Sequence, residues 1–133
     1  MKTLVTNLPA ERIDVSDEIS AERVALNDAT FRNANEGIEE RAESLNFEPA
    51  PFLCECADET CTQIIRLTLQ EYEEIRSEPT HFVNVPGHQV TAGPHGRVVT
   101  EREGYVIVEK VGVAGEIVAD LDERSGAEEK RST

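Results

Sequence analysis

The stretch "PFLCECADETC", residues 51–61, holds every cysteine of the chain: Cys54, Cys56 and Cys61. An odd number of thiols does not suit a disulfide framework, and clustered thiols that stay reduced are metal ligands by default. Thiolate sulfur is a soft donor whose pKa a bound cation depresses, and a closed structural zinc site takes four ligands in a tetrahedron. The spacing C-x-C-x4-C is tight enough for one ion, with Asp58, Glu59 and Thr60 as a polar turn that returns Cys61 towards the other two. It departs from the commoner C-x2-C knuckle. The competing view is that the three are small buried hydrophobes.

Three sulfurs leave one position, for which a histidine is expected, and His81, His88 and His95 are the only histidines. His88 follows Pro86 and Gly87 at the end of an expected strand, where a fixed turn presents its ring to a neighbouring loop. His81 begins that strand, where a surface imidazole is usual, and His95 lies in a loop between Pro94 and Gly96. The expected ligands are therefore Cys54, Cys56, Cys61 and His88, the cofactor zinc, with the other two histidines, or Asp58 and Glu59, as substitutes. The acids around the cysteines, Glu55 included, read as solvated loop residues.

The elements that must hold this loop follow from periodicity. Residues 1–18 show no clear pattern and read as a flexible N-terminal arm. From Ser20, Val24, Phe31, Ile38 and Leu45 recur every seven residues, the apolar stripe of an amphipathic helix, while Asn27, Asp28 and Asn35 interrupt a second row. Asn46, Pro49 and Pro51 end it. After the cysteines, "TQIIRLT" suits a strand, and Thr68 with Glu71 forms the T-x-x-E capping box of a helix beginning at Leu69 and stopped by Pro79. "HFVNV" reads as a strand, "HQVTAGPHG" as a polar loop, and "RVVTE" with "GYVIVEK" as a hairpin turning around residues 102–104. Residues 122–133 read as a disordered C-terminal tail. The expectation is one α+β domain over residues 19–121: a long N-terminal amphipathic helix, then a small, mainly antiparallel sheet with a second short helix, stapled by the zinc site.

Composition narrows the function. The 133 residues include 27 Asp and Glu against 13 Lys and Arg, a formal charge of -14, and the basic residues are scattered. Nucleic acid and anionic membrane are thereby disfavoured as direct ligands, since both require clustered Lys and Arg. With no apolar run near the roughly 20 residues of a spanning helix, and no apolar core to the opening "MKTLVTNLPAERIDVSDE", a cytoplasmic location is expected. Aromatics are few (no Trp, two Tyr, four Phe), so the core is thin and gains from a metal staple.

The string "FLCEC...C", then "EYEEIRSEPTHFVNVPGH", then "RVV...YVIVEK", preceded by a helix of the "FRNANEGIEERA" type, resembles a family of small acidic actinobacterial proteins. The resemblance runs from about Phe31 to Lys110. It implies that Cys54, Cys56, Cys61 and His88 act as a unit, and it implies no activity.

The expected function is a zinc-stabilised protein-interaction or regulatory module, acting through an acidic surface and the N-terminal helix on a partner with a basic surface. The alternative is a redox-responsive switch that releases zinc when its cysteines are oxidised. An enzyme is not expected, because no oxyanion-hole motif accompanies the cysteines and the H-x-E and P-C-x-x-C pattern of zinc deaminases is missing.

Overall fold

The computed structural model describes the backbone of residues 2–124 and the side chains of residues 20–124. Helix α1 spans Lys2–Leu45, 44 residues, and so takes in the stretch read from the sequence as an arm. Helical hydrogen bonds are local, so a helix runs on through residues that present no apolar stripe. Its end is as expected: Asn46 takes a left-handed φ of 55°, and the amides of Asn46 and Phe47 bond back to Glu43 O (3.3 Å) and Ala42 O (2.9 Å). This pair of bonds is the Schellman arrangement that satisfies the last carbonyls.

Strands β1 (Ala50–Leu53) and β2 (Ile64–Leu67) pair antiparallel, Ala50 opposite Leu67. The cysteine loop is the connection of this hairpin. Helix α2 (Leu69–Arg76) carries the expected capping box, with Thr68 and Glu71 each bonding the other's amide. Strands β3 (His81–Asn84), β4 (Gly96–Arg102) and β5 (Tyr105–Lys110) form a second antiparallel sheet in the order β3-β5-β4. Gly104, at φ 91°, turns the β4–β5 hairpin where the sequence places it. The α+β class and the antiparallel pairing are as expected, though the pairing is divided between two small sheets.

Two segments were not anticipated. Residues His88–His95, read as a loop, form 3-10 turns that kink at Gly93. Helix α3 (Gly112–Asp120) is hidden from a propensity reading by its glycines. Gly115 is required by packing, since a Cβ there would lie 2.6 Å from the carbonyl oxygen of Lys110.

The inward face of α1 corrects the sequence reading most. The buried positions are Ala21, Ala25, Asp28, Ala29, Arg32, Asn35, Glu39 and Ala42, a stripe that steps by four and three residues with Ala29 beside it. The apolar row is the outer one: Val24, Phe31 and Ile38 are half-buried and Leu45 is 65% exposed. Alanines let the helix approach closely, and the polar side chains between them reach main-chain groups that would otherwise lack partners. Arg32 donates to the carbonyls of Pro79 (2.7 Å) and Val118 (2.8 Å), its guanidinium 4.8 Å from the centre of the Phe82 ring. Lys110 and Asp28, both fully buried, form an ion pair of 2.7 Å, and the Lys110 ammonium also lies 4.8 Å from that ring. Neither finds another hydrogen-bond partner among the described residues. The main apolar core lies between the sheets and α2, where Phe52 and Tyr72 stack at 4.3 Å with Leu67, Ile75 and Val83 around them.

The start of the expected tail belongs to the domain. Asp122 is buried and pairs with Arg76 at 2.8 Å, while Arg76 also bonds Glu36. Arg124 reaches Glu36 and Glu39, each at 3.1 Å, and Glu73 at 2.7 Å. Charges that end a helix beside an opposite cluster are held, whatever the composition around them suggests. The rest of that tail, 125–133, lies outside the described residues. Among the described residues no helix is long and apolar enough to cross a membrane.

The buried Asp28–Lys110 pair generates two predictions. Asp28→Ala strands a buried cation and should lower stability at pH 7 by about 3–5 kcal/mol, whereas the double change Asp28→Leu, Lys110→Met should be neutral or stabilising. Urea midpoints of the three proteins check this. Burial also pushes the Asp28 carboxyl from 3.8 up to about 6, against the pull of Lys110. The folded protein thus holds this proton to higher pH than the unfolded chain does. Its contribution is complete below about pH 4 and is lost as pH rises to about 6. The difference in urea midpoint between wild type and Asp28→Asn should show that fall.

Candidate metal centre

Three of the four candidate ligands, Cys54, Cys61 and His88, are placed by local devices that the sequence encodes. Cys54 continues the β1–β2 ladder by one rung, its amide donating to Gln63 O at 3.0 Å. Beyond Cys56, Asp58 accepts from the amide and hydroxyl of Thr60 (2.9 and 2.7 Å), and Asp58 O accepts from the Cys61 amide at 3.0 Å. This side-chain-stabilised turn returns Cys61 to the cluster, as its residue types foretell. On the facing loop the His88 amide bonds Val85 O at 2.9 Å, and Gly87 takes φ 96°. Pro followed by a positive-φ Gly is a type II turn, and His88 is its last residue. Thr91 joins the two loops: its hydroxyl donates to His88 O (2.8 Å) and accepts from the Ala57 amide (2.9 Å).

The result brings together the four residues expected from the sequence. One ligand atom from each of Cys54, Cys56, Cys61 and His88 lies within 4.8 Å of all the others, close enough for one metal ion. The contacts of His88 are more telling: its Nδ1 is 3.6 Å from Cys54 Sγ and 3.6 Å from Cys61 Sγ. Metal–sulfur bonds of about 2.3 Å and metal–nitrogen bonds of about 2.0–2.1 Å, set at tetrahedral angles, give a sulfur–nitrogen edge of roughly 3.6 Å. The spacing therefore suits a tetrahedral ion held through Nδ1, a choice of nitrogen that no sequence reading supplies. His81 is instead in β3, 4.0 Å from Glu109, and His95 is buried at the end of the 3-10 segment just before β4; neither joins the cluster.

Cys54 and Cys56 are buried, and Cys61 and His88 are half-buried, so the centre has one face towards solvent. Burial pushes the Cys54 and Cys56 thiols up, and the Val85 amide, donating to Cys54 Sγ at 3.2 Å, acts in the opposite direction. A dication among the sulfurs reverses that balance by stabilising the thiolates, while the amide supports one of them from outside the coordination sphere.

Glu55 overturns its sequence reading. It is fully buried rather than solvated, and its carboxylate accepts from Asn35 Nδ2 (2.9 Å), the Tyr72 hydroxyl (2.8 Å) and the Val83 amide (3.0 Å). Asn35 also bonds both main-chain groups of Leu53. The available signal was the helical spacing of Asp28, Arg32, Asn35 and Glu39 among alanines, which marks a face as well as leucines do. The chain matches no protein family, no curated protein and no solved structure.

His88→Ala should weaken metal retention by more than about a hundredfold, beyond the 10–100-fold typical of outer-shell changes. His81→Ala should leave it unchanged. Chelator competition on both variants checks this, and equal retention would place the fourth ligand elsewhere.

Proposed function

We propose that this chain is a zinc-pinned protein-interaction or regulatory module of the cytoplasm. The observation that carries the proposal is the ligand set: three sulfurs and one imidazole nitrogen lie within 4.8 Å of one another, with two sulfur–nitrogen edges at 3.6 Å, and four such donors would fill a tetrahedral ion's positions. Closed sulfur-rich sets of this kind hold zinc as a structural ion, whereas catalytic zinc keeps an open position. The resemblance of the cysteine string and Pro-Gly-His to small acidic actinobacterial proteins supports treating the four ligands as one unit.

The interaction role is supported by the outer face of α1. Ile38, Leu45, Phe47 and Pro51 line an apolar groove of about 390 Å³ with Gly37 and Arg41, and Leu45 and Phe47 are 65% and 51% exposed. Exposed apolar surface gathered in a groove is a feature of binding sites. The net charge of -14 favours a partner with a basic surface and disfavours direct contact with nucleic acid or membrane.

A redox-responsive switch is the alternative, favoured by the half-buried position of Cys61 beside two fully buried thiols. An oxidant reaching Cys61 would form a disulfide with a neighbouring thiolate and free the ion. Low doses of peroxide, followed with a chromogenic chelator, should release zinc slowly and incompletely from a structural site. Rapid, stoichiometric release that a reductant reverses would replace the structural role with the switch. Purified protein should contain one zinc per chain, and its removal should lower the melting temperature, since a ligand at about 1,000 times its Kd stabilises by about 4 kcal/mol. Equal melting of metal-free and metal-loaded protein would contradict a structural role.

A further inference from the structure

Side chains at i and i+2 of an extended run share one side, and the residue between points away. In C-x-C this puts two ligands at the metal and sends the intervening side chain in the opposite direction. That side chain is Glu55, and it is fully buried. Its carboxylate is bonded from three elements: α1 through Asn35 at 2.9 Å, α2 through Tyr72 at 2.8 Å, and β3 through the Val83 amide at 3.0 Å. Its own amide donates to Val83 O at 2.7 Å. Asn35 grips the main chain on the other side of Cys54 as well, donating to Leu53 O at 2.9 Å and accepting from Leu53 N at 2.8 Å. Cys54 is thus bracketed by two residues that α1 holds directly.

Resting on the metal-centre proposal above, we infer that Glu55 is a positioning residue that couples occupancy of the centre to the seating of α1. The departure from C-x2-C then has a purpose: one intervening residue allows the motif to bind metal on one side and anchor the domain on the other. With the ion bound, Cys54 and Cys56 are fixed, and Glu55 is held against Asn35, Tyr72 and Val83. With the ion removed, the loop no longer enforces that register, and α1 loses contacts that a buried carboxylate makes only at full satisfaction. Coupling runs equally in the other direction, because linked equilibria are reciprocal. Weakening the grip on Glu55 must therefore weaken metal binding.

The test uses the full chain loaded with zinc, and two variants. Tyr72→Phe removes one donor to Glu55 while keeping the ring that stacks on Phe52. Glu55→Gln keeps the shape but places an NH2 against groups that donate. Zinc dissociation constants, from chelator competition, should rise about tenfold in Tyr72→Phe, the low end of the range for groups that bond a ligand directly, because this hydroxyl acts through Glu55, and at least as much in Glu55→Gln. The gap between metal-free and zinc-loaded melting temperatures should narrow in both; a residue that only stabilised the fold would shift both temperatures equally. In the wild type, removing zinc should lower amide-exchange protection across residues 21–42 more than in the β4–β5 hairpin. Should Glu55→Gln fail to fold, Tyr72→Phe and the wild-type exchange data decide the outcome. Wild type that binds zinc, with Tyr72→Phe within about twofold of its affinity or with α1 protection indifferent to zinc, overturns the coupling and leaves the metal centre standing. Wild type that binds no zinc overturns both.

Discussion

A carboxylate taken wholly out of water must find donors, and Glu55 finds three, from three different elements. That requirement ties the cysteine loop to α1, α2 and β3, and much of the packing follows from it. Asn35 must stand opposite the loop, which sets the rotation of α1. Once that rotation is set, Asp28, Arg32 and Glu39 face inward too, each with a charged or carbonyl partner. The helix is docked by polar contacts between alanines, so its larger apolar side chains are left to the outer face.

Such a design trades strength for definition. Buried ion pairs add little net stability over well-packed hydrophobes, but each admits very few alternative arrangements. Arg32 and Lys110 lie at equal distances from the Phe82 ring and answer to different partners, Arg32 to two carbonyls and Lys110 to one carboxylate. A slide of α1 by one turn would strand all of these groups together. In a chain with so few aromatics, polar specification of this kind does part of what a larger apolar core would otherwise do.

The candidate ligands were legible because their chemistry is carried by residue type and local turns. Three cysteines, the Asp58–Thr60 turn and the Pro86-Gly87 turn before His88 are each readable within a few positions. The capping box at Thr68 and Glu71, the end of α1 at Asn46 and the β4–β5 hairpin were readable for the same reason. What escaped depends on tertiary partners. Nothing local distinguishes a buried Glu55 from a solvated one, and Asp28 and Asn35 interrupt an apolar row only if the core is assumed to want apolar groups. Helix α3 was hidden by Gly112 and Gly115, the second of which is set by the approach of the Lys110 carbonyl. Arg124 lies in a stretch whose composition resembles a solvated tail, yet Glu36, Glu39 and Glu73 converge on it from two helices.

The candidate metal cluster and the polar seating of α1 thus meet in one short motif, Cys54-Glu55-Cys56. X-ray absorption at the zinc edge, on protein loaded with one equivalent of zinc, reads the ligand set of the candidate centre directly. A Cys3His centre should show four-coordinate zinc with three sulfur neighbours near 2.3 Å and one nitrogen near 2.0–2.1 Å. A shell dominated by oxygen and nitrogen, or a sulfur count unchanged when Cys54, Cys56 or Cys61 is replaced by serine, would contradict it.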